Sequence, residues 1–104
     1  MRKDEFREWM QGRIKERPIS DCLSRCGRVE KALNIDLDDE FSKDHCKEVL
    51  SRLSYSVADE KANKPALPSF EFKPGVSLRF RFTDLRSAVK RYINFCESIE
   101  SSKQ

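Results

Sequence analysis

Apolar residues recur every three or four positions along much of the chain, the spacing that places side chains on one face of an α-helix. The first stripe predicts a helix over residues 3–14, with acidic residues in its first turn, where the helix dipole favours negative charge. A second helix follows from Pro18, whose missing N–H suits a first turn. It has the clearest pattern in the chain, and its stripe consists of Ile19, Cys22, Leu23, Cys26, Val29, Ala32 and Leu33.

The middle of the chain gives weaker signals. The acidic run 36–40 predicts a turn that leads into a short helical piece. Ser42 is a suitable N-cap for a third helix. The apolar positions of that helix are Cys46, Val49, Leu50 and Leu53. Residues 55–69 lose the helical periodicity and contain two prolines, so a long loop is predicted there.

Residues 70–82 change the period from helical to alternating. Phe70 and Phe72 precede the turn signal Pro74-Gly75, and apolar residues then occupy every second position from Val76 to Phe82. Alternation on both sides of a turn predicts a two-stranded hairpin with one apolar face. Its charged face would carry Glu71, Arg79 and Arg81.

The last helix is predicted to begin at Thr83, which is a suitable cap, and its tail from Glu100 is expected to fray. Its stripe consists of Leu85, Ala88, Val89, Tyr92, Ile93, Cys96 and Ile99. The patterns together predict a mainly α fold, a single domain over residues 1–104 with four to five helices and a small β-hairpin before the last. A length of 104 residues is enough for one buried core.

Charge is unevenly distributed along the chain. The net charge is +3 over residues 1–33, −5 over 34–60 and +5 over 61–104, so the overall +3 conceals basic ends and an acidic middle. If the two basic segments fold onto one side, they form a positive surface that suits a phosphate backbone. This asymmetry is the strongest functional signal in the sequence.

Residue chemistry does not favour an enzyme. His45 is the only histidine, and no cluster of nucleophile, base and orienting group is recognisable. Asp38, Asp39 and Glu40 lack the pattern of a calcium loop, and no glycine-rich phosphate loop is present. We therefore predict no catalytic residues and no cofactor.

The four cysteines are expected to be buried free thiols, because each falls on the apolar stripe of a predicted helix. Cys22 and Cys26 have a spacing that suits zinc if another ligand approaches, but tight C-x2-C knuckles are absent. Packing between helices is the preferred interpretation, with no metal. No apolar stretch approaches the roughly 20 residues of a membrane span, and no signal core follows Met1, so a cytoplasmic protein without membrane contact is predicted.

Two helices carry short basic ridges on their polar sides. Spacings of three and four residues keep the members of a ridge on neighbouring turns. Arg binds phosphate or guanine edges through a planar fork and Lys supplies a point charge, which is what DNA recognition requires. The candidate residues are Arg25, Arg28 and Lys31 on the second helix, Arg86, Lys90 and Arg91 on the last, and Arg79 and Arg81 on the hairpin.

The segments Arg17–Leu33 and Thr83–Phe95, together with Phe6 and Trp9, resemble the helices of the SAM-like N-terminal core-binding domain of phage integrases and other tyrosine recombinases. The resemblance covers residues 3–53 and 83–97. It implies a four- to five-helix domain that clamps duplex DNA and lays helices against the major groove. Nothing in the chain matches the recombinase catalytic domain, so the resemblance implies binding without strand cleavage, as in a module of a mobile element or a restriction or recombination system.

Two functions follow from the sequence. The first is a non-catalytic module that binds duplex DNA through its basic helix faces. The alternative is a protein-interaction or dimerisation module, in which the aromatic hairpin 70–82 pairs with a second copy or docks on a protein partner, because an isolated two-stranded ribbon leaves backbone groups unpaired.

Overall fold

The computed structural model describes residues 1–62 and 77–102, which form six helices and no strand. In chain order the helices are α1 (Lys3–Gln11), α2 (Glu16–Leu33), α3 (Leu37–Asp44), α4 (Lys47–Arg52), α5 (Val57–Lys61) and α6 (Leu78–Ser102). The predicted mainly α fold is confirmed. The first helix ends at Gln11 rather than Ile14, and the second begins two residues before Pro18.

The acidic run belongs to a helix rather than to a turn. Asp36 caps α3, its side chain accepting a hydrogen bond from the Asp38 N–H at 2.8 Å, and further acidic residues occupy the first turn, where they complement the dipole. Ser42 therefore does not cap a helix. It lies within α3, where its hydroxyl donates to the Asp38 carbonyl at 3.2 Å.

The predicted third helix is divided into α3 and α4 by two residues in the left-handed region. His45 has a φ of 57° and Cys46 a φ of 63°, and α4 begins directly afterwards at Lys47. Neither residue is glycine, so the break has no signal in the sequence. It allows the Cys46 side chain to enter the core, where it is fully buried.

A short helix occupies part of the predicted loop 55–69. Ser56 and Asp59 form a capping box at the start of α5, each side chain bonding to the other's backbone N–H. This reciprocal pair stabilises a helix too short to show apolar periodicity. Residues 63–69 of the predicted loop lie outside the described residues.

The predicted hairpin is wrong over 78–82, because these residues form the first turns of α6. Leu78, Phe82 and Leu85 are four and three residues apart, so they fit the helical period as well as part of the alternating one. Phe82 and Leu85 are buried, whereas Phe80, which only the alternating pattern makes internal, is exposed. The first half of the predicted hairpin, 70–76, lies outside the described residues.

The last helix also extends beyond both of its predicted ends. Thr83 is not its cap; the Thr83 hydroxyl donates to the Arg79 carbonyl at 2.8 Å within the helix. The C-terminal end continues to Ser102, past the expected fraying point at Glu100, and residues 103–104 are outside the described part.

Helix α6 is the central helix of the fold, because α1, α2, α3 and α5 all pack against it. At the centre, the ring of Phe6 meets Tyr92 edge to face, with centroids 5.0 Å apart, and lies 5.3 Å from Phe95. The predicted burial of the cysteines is confirmed, because all four are buried free thiols in one core cluster with these aromatic residues. With one face buried among four helices, α6 has only its opposite face available for a ligand.

Candidate nucleic-acid interface

Positive charge is concentrated in the first half of α6. Between Leu78 and Arg91 the helix has a single acidic residue, Asp84. The five basic residues in this stretch are Arg79, Arg81, Arg86, Lys90 and Arg91, all of them candidates from the sequence. Acidic residues of α6 follow only later, at Glu97 and Glu100. This order opposes the helix dipole, which favours acidic residues at the start of a helix and basic residues at its end.

Three of these cations lie on one stripe of α6. Arg79, Arg86 and Lys90 are separated by seven and four residues, a spacing that keeps them within a narrow sector of the helix. The exposed side chains of Thr83, Ser87 and Asn94 lie beside the stripe, so the accessible face is polar as well as cationic. Arg91 lies on the other edge of this face, towards α2.

Helices α2 and α6 bring Arg25 and Arg91 to one groove of about 310 Å³, which Asp21, Cys22 and Ser87 also line. The predicted convergence of basic residues from the two ends of the chain is therefore found for this pair. Arg25 also approaches Asp84, with 4.0 Å between nitrogen and oxygen. Both side chains of this pair are substantially exposed, so the ion pair is weak.

The electrostatic effect of this arginine pair is visible at Cys22. Hydrogen bonding with the Cys26 thiol lowers the pKa of Cys22, and the positive charges of Arg91 and Arg25 lower it further, against the opposing effect of burial. The same hydrogen bond, together with burial, raises the pKa of Cys26. Arg25 and Arg91 thus act on the Cys22 thiol at the base of this groove, although Asp21 lines the groove as well.

The other candidates do not line the groove that Arg25 and Arg91 share. Arg28 and Lys31 are exposed on α2, further towards its C-terminal end, where Lys31 also complements the dipole. Arg79 forms an ion pair with Glu60 at 2.8 Å, and its guanidinium lies 4.7 Å from the Phe80 ring centroid.

Arg86 and Arg81 differ in how firmly they are held. Arg86 contacts the Thr83 hydroxyl at 3.4 Å, and its Nε is buried without a hydrogen-bond partner among the described atoms. Arg81 is exposed. Arg86 is therefore partly fixed against the helix, whereas Arg81 is available to solvent.

Lys90 lies at a second groove, on the side of α6 that faces the α3–α4 turn. Lys43 and Lys47 line this groove with it, and sequence reasoning missed both. They belong to the acidic middle segment, where the net charge of −5 hides them, and the break at His45 and Cys46 brings them to α6. The eight predicted cations therefore do not form one face: some lie towards α2 and others towards the α3–α4 turn.

In residues 1–62 and 77–102, no group of three or more His, Cys, Asp and Glu side chains is arranged to hold a metal ion. None of the described helices is both long and apolar enough to cross a membrane.

No protein-family model, curated protein sequence or solved structure matches the chain. The resemblance to the integrase core-binding domain has no support from these comparisons and stays a prediction from the sequence.

Proposed function

We propose that the chain is a non-catalytic module that binds duplex DNA through the exposed face of α6, with Arg25 assisting from α2. The observation that carries the proposal is the concentration of five basic residues and one acidic residue in Leu78–Arg91. The stripe Arg79, Arg86 and Lys90 would contact phosphates, and the polar residues beside it are suitable hydrogen-bond donors.

The direction of the charge gradient supports a binding role over a stabilising one. Exposed cations in the first turn of a helix are unfavourable by about 0.3–1 kcal/mol each, and Arg79 and Arg81 lie in the first turn of α6. Only Arg79 among the cations of α6 has an ion pair shorter than 4 Å in the described part of the chain. An anionic partner that reaches the first turn of α6 would meet Arg79, Arg81 and the positive end of the dipole.

The test is binding of a short random-sequence duplex, followed by fluorescence anisotropy across a salt series from about 50 to 200 mM. Contacts to three or four phosphates predict a slope of log affinity against log salt of about −3 to −4. Arg86→Gln combined with Lys90→Gln should reduce the slope by about two, since each lost phosphate contact removes about one.

Lys3→Gln combined with Lys15→Gln is the matched control. It removes the same charge from exposed positions outside α6 and should leave the slope nearly unchanged. A salt-independent affinity, or equal effects of the two double variants, would contradict the proposed interface.

A second candidate function, protein interaction, is favoured by one observation. Val57 and Phe80 are large apolar side chains that are 52% and 60% exposed, and they lie on helices α5 and α6, which pack together. The surface would be helical rather than the ribbon predicted from sequence. Sedimentation velocity over a range of concentrations tests self-association: dimers that Phe80→Ser dissociates support it, and a monomer at all concentrations contradicts it.

A further inference from the structure

The groove between the α3–α4 turn and α6, called here the lysine groove, has the size and lining of a small-ligand site. It is an open groove of about 780 Å³, within the range of about 300–1,000 Å³ that is common for ligand sites. Leu50 and Ile93 supply apolar surface, and Lys43, His45, Lys47 and Lys90 supply polar groups. Such a mixture suits a ligand with one apolar part and one anionic part.

The lining of the lysine groove contains three lysines and two carboxylates. Lys43 lies 3.5 Å from Glu40, and Lys47 and Lys90 have no ion pair among the described residues. Two carboxylates also line the groove. That of Asp44 accepts the N–H groups of Lys47 at 3.2 Å and Glu48 at 3.1 Å, so it is already engaged at the start of α4.

The second carboxylate, Glu97, is exposed on α6 and lines the groove together with Lys43, Lys47 and Lys90. Three lysines and two carboxylates give the lining a formal net charge of +1, which favours an anion over a cation.

His45 is held at the edge of the lysine groove by a strained backbone. It and Cys46 are consecutive residues at positive φ, each costing of the order of 1 kcal/mol or more when not glycine. The His45 N–H donates to the Phe41 carbonyl at 2.9 Å, and the imidazole stacks on the Phe41 ring with a centroid separation of 4.4 Å and an interplanar angle of 3°. Residue 45 nevertheless remains exposed, and it lines the lysine groove together with Lys47 and Lys90.

We propose that the lysine groove binds a nucleoside phosphate, with its base against His45 and the apolar surface of Leu50 and Ile93, and its phosphate between Lys47 and Lys90. A nucleobase stacks readily on an aromatic ring, and the dianionic phosphate complements two lysines. The site shares Lys90 and Asn94 with the proposed duplex interface, so His45 and Lys47 are the positions that test it.

Isothermal titration with AMP, adenosine and inorganic phosphate tests the proposal directly. AMP should bind more tightly than either of its parts. Lys47→Gln should weaken AMP binding about tenfold, as expected for a hydrogen bond to a charged group. His45→Asn should weaken it at least about fivefold by removing the stacking ring, while asparagine still tolerates the left-handed backbone.

Lys31→Gln, on α2 outside the groove, is the charge-matched control and should leave the AMP affinity unchanged. Circular dichroism establishes that each variant is folded. Absence of saturable binding at millimolar AMP, phosphate binding as tight as AMP binding, or an unchanged affinity in folded His45→Asn would each overturn the proposal.

Duplex binding separates this proposal from the previous one. Lys47→Gln and His45→Asn should lose AMP affinity while retaining the salt dependence of duplex binding. If the wild-type chain binds AMP but no duplex, the proposed function fails and the nucleotide site stands; duplex binding without AMP binding gives the reverse result.

Discussion

The buried hydroxyl of Tyr92 offers a direct test of what holds α6 in place. Tyr92 is 0% exposed, and its hydroxyl donates to Asp38 Oδ1 at 2.8 Å and accepts the Arg2 backbone N–H at 3.0 Å. Burial raises the pKa of Tyr92, so the hydroxyl remains a donor at all physiological pH values. This one group connects α6 to α3 and to the start of α1, which is why its removal is informative.

Tyr92→Phe removes only the hydroxyl and keeps the ring contacts with Phe6 and Phe95. The lost bond to a carboxylate is worth about 1.5–3 kcal/mol. Asp38 retains the Arg2 Nε at 2.9 Å, which limits the cost at the acceptor, and burial of phenylalanine is less costly than burial of tyrosine. We expect unfolding free energy to fall by about 2 kcal/mol, or the melting temperature by about 10 °C in a domain of this size.

Urea denaturation followed by far-ultraviolet circular dichroism measures the change, with a lower midpoint and an unchanged slope expected. A double-mutant cycle with Asp38→Ala should give a coupling energy of about 1 kcal/mol or more. Asp39→Ala is the control, because it removes an exposed acid from the same turn of α3. A loss below about 0.5 kcal/mol, or additive effects of Tyr92→Phe and Asp38→Ala, would refute the reasoning.

Two further predictions concern ionisation. Burial raises the pKa of the Cys46 thiol to about 12, and alkylation requires the thiolate. Mass spectrometry should therefore find Cys46 unmodified by iodoacetamide at neutral pH until urea unfolds the chain. Modification of Cys46 in the native protein would contradict this prediction. The hydrogen bond from the Met1 ammonium lowers the pKa of Asp36 in the folded state. The Asp36 carboxylate therefore contributes to stability above its unfolded-state pKa of about 3.9. That contribution is lost as the pH falls through the lower folded-state pKa. Asp36→Asn keeps an N-cap residue and should make the free energy of unfolding less dependent on pH below about pH 4. The same pH dependence in the variant and the wild-type chain would exclude this role of Asp36.

Local periodicity is sufficient to predict the helices that carry continuous apolar stripes. Helix α2 shows this most clearly, since all of its buried residues belong to the predicted stripe. The predicted start of α6 at Thr83 is wrong because Leu78 and Phe82 satisfy both a helical and an alternating pattern. Only packing distinguishes the two patterns. The division between α3 and α4 was missed because His45 and Cys46, rather than glycine, adopt the left-handed conformation.

The candidate site shows why the net charge of a segment is a poor guide to the charge of a surface. Asp44 accepts two backbone N–H groups at the start of α4 and forms no ion pair with Lys47, so the acidic middle of the chain contributes a lysine to the lysine groove. Conversely, the basic C-terminal segment contributes Arg79, which Glu60 already neutralises in part. Spacing along a helix predicts which cations share a stripe, but the charge left for a ligand depends on which carboxylates the caps and ion pairs have engaged, and that is decided by tertiary packing.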